Sequence, residues 1–157
     1  MKNRESGIRY LRMRADTLMG MFRHLAEPAR TQAFAALARS SAEHGGDSAR
    51  RYLEAGAGDI PALLAMIEKT AGEFGWGEWR FRERGAGHLV LDVHDSPFAE
   101  AYGAADTGVC APISGMLEAV AALALGGPCE AHELECRACG AALCRFEARG
   151  TRGKDEN

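Results

Sequence analysis

The sequence predicts an α+β domain in which a helical N-terminal half packs on an antiparallel sheet. Apolar residues recur at helical spacing up to about residue 74, and beyond residue 78 the pattern changes to the alternation typical of strands. Two hairpins, at 79–93 and 129–149, are predicted to form the sheet, with a buried helix at 109–125 between them. Because helices precede and separate the hairpins, we expect antiparallel strands covered by helices.

Length and composition are those of a single globular domain. A chain of 157 residues can bury a core without disulfides or metal ions to hold it together. Its 46% hydrophobic and 26% charged residues are ordinary values for a folded protein. We expect an N-terminal arm at 1–15, one domain at 16–150 and a disordered polar tail at 151–157.

Charge and hydropathy exclude two classes of partner. The net charge of −3 gives no general attraction to nucleic acid, which needs a basic face. The longest apolar stretch, around 113–125, contains Glu118 and is too short to cross a bilayer, and no signal peptide is visible. These features predict a cytoplasmic protein that binds neither nucleic acid nor membrane.

Three helices are predicted in the N-terminal half, beginning at about residues 16, 29 and 60. The first begins at about Asp16, whose carboxylate can cap the first turn. The second is rich in alanine, extends to residue 53 and is expected to be interrupted or loosened at the His-Gly-Gly-Asp segment 44–47. The third follows Asp59, a predicted N-cap, and stops at Gly75.

The strands follow from alternation and turn residues. Residues 79–82 alternate, the glycines of 85–87 supply a turn, and 88–93 is strand-like, which together indicate the first hairpin. Asp95 and Ser96 are typical of a turn and cap that ends it. Strand candidates at 129–137 and 143–149 indicate the second hairpin.

All five cysteines lie in the last third of the chain, at positions 110, 129, 136, 139 and 144. In the cytoplasm they should be reduced, so a stable disulfide framework is disfavoured. A redox pair of Cys136 and Cys139 would need a helix N-terminus, whereas this pair lies where a strand meets a turn. The pattern favours a zinc site over small buried thiols, and leaves the choice of ligands open.

Three stretches carry a family resemblance: DSPFAE at 95–100, VC at 109–110 followed by GMLEA at 115–119, and ELEC at 133–136 followed by Gly140 and CRF at 144–146. In this order they resemble the 4-vinyl reductase, or hydrocarbon-binding, domain family. That family includes sensor domains of phenol- and xylene-responsive transcription activators and a bacteriochlorophyll-biosynthesis accessory protein. It shares its fold with a subunit family of the TRAPP tethering complex.

The resemblance implies a structural Zn²⁺ held by Cys110, Glu133, Cys136 and Cys144. Four protein ligands leave no open position for water or substrate, so the ion would not be catalytic. Glu133 and Cys136 are three residues apart and would point to opposite faces of a regular strand, so a bulge between them is required. Without a bulge, Cys129 or Cys139 could replace Glu133.

The resemblance also implies a pocket for a small hydrophobic or aromatic molecule between the helices and the sheet. The candidate lining residues are Phe74, Trp76, Trp79, Phe81, Leu89, Leu91, Phe98, Tyr102 and Met116. Each could equally be ordinary core. The two tryptophans are the more suggestive, because a buried indole needs a partner for its N–H group.

The function that these expectations support is a non-enzymatic, zinc-containing domain that binds a hydrophobic ligand as a sensor or carrier. The resemblance implies a homodimer, and a sensor of this kind would signal through a separate partner protein. One alternative is an accessory protein or reductase component in tetrapyrrole (bacteriochlorophyll) biosynthesis, although no nicotinamide or flavin motif is present. Another is a TRAPP-like protein-interaction module.

Overall fold

The computed structural model describes residues 7–56 and 58–151, and it confirms the α+β class. Residues 1–6 of the expected arm and 152–157 of the expected tail lie outside the described residues. The elements, in chain order, are α1 Ala15–Arg23, α2 Ala29–Glu54, α3 Ile60–Glu73, β1 Glu78–Gly85, β2 His88–His94, α4 Pro97–Tyr102, α5 Ala111–Leu125, β3 Cys129–Glu135 and β4 Cys144–Gly150. Within the described ranges, no helix has the length and apolar content that a membrane span requires.

The four strands form one antiparallel sheet in the order β1-β2-β4-β3. The two predicted hairpins are therefore joined through β2 and β4, where Leu91 lies opposite Phe146. Both side chains are fully buried, as is Leu89. Helix α5 packs against β2, β3 and β4, α3 packs against β1, and α2 lies along α5. The core is thus enclosed between the helices and one face of the sheet.

Helix α2 is continuous from Ala29 to Glu54, so the expected interruption at 44–47 is wrong. The two glycines of this segment lie where α2 crosses α5. A Cβ on Gly45 would lie 2.0 Å from Met116 Sδ, and one on Gly46 would lie 3.2 Å from Ala119 Cβ. A glycine inside a helix costs about 1 kcal/mol relative to alanine. Here close packing of the two helices outweighs that local preference.

Two further boundaries differ from the sequence expectations. Asp16 lies in the first turn of α1 and does not cap it; its carboxylate instead pairs with Arg14, with 2.6 Å between Nη2 and Oδ2. The segment after β2 continues into the short helix α4, which was not predicted. Asp59 and Ser96 cap α3 and α4 as expected, accepting hydrogen bonds from the backbone N–H groups of residues 62 and 99.

Asp92 is a buried carboxylate on the face of the sheet opposite Leu91 and Val93. It accepts two hydrogen bonds from Arg145 on β4, Nε to Oδ1 at 2.7 Å and Nη2 to Oδ2 at 3.0 Å. These hydrogen bonds hold the pKa of Asp92 below its ordinary value. The ionised carboxylate therefore ties β2 to β4 at the centre of the sheet.

Acidification is expected to remove the stabilisation that Asp92 provides. A carboxyl whose pKa is lower in the folded state stabilises the fold above its unfolded pKa of about 4, and loses this effect as the pH falls through the folded pKa. The urea midpoint of Asp92→Asn should therefore be lower than that of the unsubstituted protein at neutral pH and should vary less on acidification. Asp16→Asn is the control, since that paired carboxylate is exposed. Parallel pH curves for Asp92→Asn and the unsubstituted protein would contradict the prediction.

Candidate metal centre

Four side chains from three separate parts of the chain converge at one end of the sheet. Cys110 immediately precedes α5, Glu133 lies near the end of β3, Cys136 follows β3, and Cys144 begins β4. One donor atom from each of the four lies within 4.8 Å of the others. These are the four residues that the family resemblance implied, and the three cysteines are buried.

A bulge in β3 lets Glu133 and Cys136 reach the same side. Glu133 lies opposite Phe146 and Glu135 lies opposite Arg145, so Leu134 is an extra residue on β3. The Leu134 side chain is 53% exposed, which shows that the bulge turns it outward. The bulge that the four-residue set required is therefore present.

The other two cysteines lie outside this group. Cys129 begins β3, at the far end of the strand, and its thiol donates to the carbonyl of Gly127 at 3.4 Å. Cys139 is exposed, at the end of the 3₁₀ turn Arg137–Cys139. Neither thiol takes the place of the Glu133 carboxylate among the four converging donors.

Only one oxygen of the Glu133 carboxylate has a hydrogen-bond partner among the described residues. Its Oε1 accepts the backbone N–H of Cys110 at 3.1 Å, whereas Oε2 is buried without a hydrogen-bond partner among the described residues. Burial raises the pKa of Glu133 to about 8. Buried polar atoms are nearly always paired, so an orphaned oxygen on a carboxylate that lies among three cysteines fits a bound cation.

Two of the three sulfur atoms, those of Cys110 and Cys144, are in contact. Cys110 Sγ and Cys144 Sγ are 3.8 Å apart, far longer than the bond of about 2.05 Å in a disulfide. Hydrogen bonds with Cys136 and Cys144 raise the pKa of Cys110, and those from Cys110 and Cys144 lower that of Cys136. The backbone N–H of Arg137 points at Cys144 Sγ at 3.4 Å. Thiolates with backbone donors around them are typical of metal ligands.

A surface cavity of about 350 Å³ lies beside the cluster. Glu133 and Cys136 line it together with Asp106, Gly108 and Cys139, among others. The cavity gives an ion a route from solvent to Glu133 and Cys136, and an entry route is one requirement of a metal site.

Comparison with known proteins finds a family-model match over the region that holds this cluster. Residues 89–150 match the V4R domain family model. The match confirms the family resemblance stated from the sequence. All four converging side chains lie inside the V4R segment, as do the DSPFAE and CRF stretches.

Solved structures share the fold over most of the chain. The phenol-responsive sensory domain of the transcription activator PoxR, crystallised with phenol, is 19% identical with a TM-score of 0.77, over 91% of this chain and 77% of that one. A vinyl-4-reductase family protein from Methanocaldococcus jannaschii is 14% identical with a TM-score of 0.55, over 91% and 98%. A trafficking protein particle complex subunit 3 from Naegleria fowleri, covalently bound to palmitic acid, is 11% identical with a TM-score of 0.59, over 86% and 93%. The chain has no match among curated protein sequences.

The candidate pocket residues are divided between the V4R segment and the elements before it. Trp76 and Phe98 contact each other edge to face, with ring centroids 5.0 Å apart. The buried indole of Trp79 donates its N–H to the carbonyl of Trp76 at 3.1 Å, so its partner is the backbone. Phe74, by contrast, is 66% exposed, and its ring stacks at 6.5 Å on that of Tyr10.

The remaining candidates lie on the sheet and on the two helices of the V4R segment. Leu89, Leu91, Phe98 and Tyr102 are buried, while Phe81 and Met116 are half-buried against the core. A second cavity, of about 430 Å³, lies between α3 and the start of β1. Its lining includes Trp79 but is otherwise dominated by charged residues and glycines.

Two residues beside the four converging side chains have roles that the sequence did not reveal. A Cβ on Gly108 would lie 2.3 Å from Glu133 Oε1, so only glycine leaves room for the carboxylate in its present place. Ser96, expected only as a cap, also lies 3.2 Å from Cys110 Sγ through its hydroxyl. Neither contact could be predicted from the sequence, because each joins residues that are distant along the chain.

Proposed function

We propose that the domain holds one structural Zn²⁺ through Cys110, Glu133, Cys136 and Cys144. The observation that carries this proposal is the convergence of the four donors within 4.8 Å, one of them on a glutamate that also has one carboxylate oxygen buried and unpaired among the described residues. Zinc accepts thiolates and carboxylates in tetrahedral sites, with Zn–S bonds of about 2.3 Å that place two sulfurs about 3.8 Å apart. The separation of Cys110 and Cys144 sulfurs, 3.8 Å, agrees with that value.

The ion would tie the start of α5 to the final hairpin. Four protein ligands leave no position for a water or substrate molecule, so the zinc would stabilise the fold and take no part in a reaction. Because the ligands come from three parts of the chain, metal binding would be coupled to folding.

The ligand-binding function is proposed from the fold. The PoxR domain was crystallised with phenol, and the Naegleria subunit carries palmitic acid. Both ligands are small and largely apolar. We therefore propose that the domain at 16–150 binds a small hydrophobic or aromatic molecule between its helices and its sheet, as a non-catalytic sensor or carrier. The proposed lining comprises Phe74, Trp76, Trp79, Phe81, Leu89, Leu91, Phe98, Tyr102 and Met116.

The proposal includes a cytoplasmic homodimer that passes its signal to a separate protein. Native mass spectrometry of protein purified without chelators tests the whole function. One zinc per chain and a co-purified hydrophobic molecule in a dimer are expected. A bound porphyrin would favour the role in tetrapyrrole synthesis instead, and a dimer with neither zinc nor ligand would favour an interaction module.

Gly108→Ala is expected to weaken zinc binding while leaving the metal-free fold almost unchanged. The added Cβ would displace the flexible Glu133 carboxylate from its present place among the four donors. Competition with a chromophoric chelator should show a Kd raised about 10-fold or more, as for Glu133→Gln. Gly20→Ala is the control, because a Cβ on Gly20 in α1 meets nothing within 4 Å. An unchanged Kd for Gly108→Ala would show that Glu133 does not bind the ion.

A further inference from the structure

Ser96 is buried between β2 and α4, with 1% of its surface exposed. Its hydroxyl has two neighbours at hydrogen-bond distance. The backbone N–H of Ala99 points at Oγ from 3.3 Å, which makes Ser96 the cap of α4. Cys110 Sγ lies 3.2 Å from the same oxygen. The hydroxyl thus touches a helix terminus and a proposed metal ligand at once.

The roles of these atoms follow from counting hydrogens. A serine hydroxyl has one hydrogen to donate and two lone pairs that accept. The N–H of Ala99 can only donate, so it occupies a lone pair and leaves the hydroxyl hydrogen available. A thiol at Cys110 could be donor or acceptor, but a metal-bound thiolate has no hydrogen. In the metal-bound protein, Ser96 must therefore be the donor in its contact with Cys110.

We propose that Ser96 is a positioning residue of the metal centre, and that its O–H group donates to the Cys110 thiolate, fixing this ligand and strengthening metal binding. The inference rests on the proposed zinc site. Hydrogen bonds from neighbouring groups orient metal ligands and stabilise their negative charge, and their loss typically weakens metal binding about 10- to 100-fold. Ser96 is well suited to the role, because its burial keeps water from competing for the sulfur.

The backbone around Ser96 is shaped to hold the hydroxyl in place. Asp95 has a positive φ of 55°, an uncommon conformation for a residue other than glycine, and turns the chain sharply after β2. The carboxylate of Asp95 pairs with Arg137 at 3.1 Å, which joins this turn to the residue after Cys136. The same turn therefore contacts both the Cys110 and the Cys136 sides of the cluster.

Three variants separate metal positioning from helix capping. Ser96→Ala removes both hydrogen bonds, Ser96→Gly removes the donor at a position where glycine caps almost as well, and Ser96→Thr keeps the hydroxyl. Asp59→Ala removes the matched cap of α3: the Asp59 carboxylate accepts the N–H of Ala62 at 2.9 Å, and Asp59 is not among the four converging residues. Zinc affinity is measured by chelator competition, and the sulfur-to-metal charge-transfer band is recorded with Co²⁺ in place of zinc.

We expect Ser96→Ala and Ser96→Gly to bind zinc about 10- to 100-fold more weakly and to shift the Co²⁺ charge-transfer band to lower energy. Ser96→Thr should restore both properties, and Asp59→Ala should lower thermal stability without changing either. Wild-type affinity and spectrum in Ser96→Gly would overturn the inference while leaving the zinc site intact. Failure of the unsubstituted protein to bind zinc or Co²⁺ would overturn the proposed site itself.

Discussion

Replacement of Cys110 by serine is expected to abolish stoichiometric zinc binding and to lower the melting temperature of the purified protein by roughly 10 °C. The Cys110 sulfur is fully buried and lies 3.8 Å from that of Cys144, so the substitution removes one of the three converging thiols. A ligand that binds only the folded state contributes about 4 kcal/mol when its concentration is 1,000 times its Kd. Loss of zinc would remove that contribution.

Elemental analysis and thermal unfolding with and without a chelator measure this effect. The chelator should lower the melting temperature of the unsubstituted protein towards that of Cys110→Ser and should leave the variant unchanged. Cys139→Ser is the matched control, because this cysteine is exposed and lies outside the four converging donors. Equal zinc content in the Cys110→Ser variant and the unsubstituted protein would contradict the four-ligand assignment.

Gly115→Ala is expected to destabilise the fold by about 1 to 3 kcal/mol, although alanine is the better helix former. Gly115 lies on α5 where it crosses α2. A Cβ there would lie 2.2 Å from the carbonyl oxygen of Ala38, 2.7 Å from Ser41 Cβ and 3.0 Å from the backbone nitrogen of Ala42. Two of these three atoms belong to the backbone of α2, so relief requires the helices to move apart.

Gly72→Ala is expected to stabilise the fold and serves as the control for Gly115→Ala. Gly72 lies in α3, and a Cβ there meets nothing within 4 Å, so only helix propensity should act. The free energy of unfolding of the Gly72→Ala variant, measured by urea titration, should exceed that of the unsubstituted protein by up to about 1 kcal/mol. Equal stabilities for the two alanine variants would show that α2 and α5 are not in close contact through Gly115.

Both hairpins and four of the five helices were predictable because their signals are local. Helical spacing in 60–74, alternation in 79–93 and the cap at Asp59 depend on residues within a few positions of one another. The four converging side chains are those that the family resemblance implied, and spacing did not single them out. Cysteine spacing alone left Cys129 and Cys139 as alternatives, because spacing does not show where a strand contains a bulge.

The sequence by itself therefore determined the class of the fold, the order of its elements apart from α4, and the part of the chain rich in side chains that can bind a metal. Only the tertiary structure decided that α2 continues through Gly45 and Gly46, that Leu134 forms the bulge, and that Gly108 leaves room for Glu133. The physical reason is the same in each case. Local propensities differ by about 1 kcal/mol or less per residue, whereas close packing between elements distant in sequence can outweigh them.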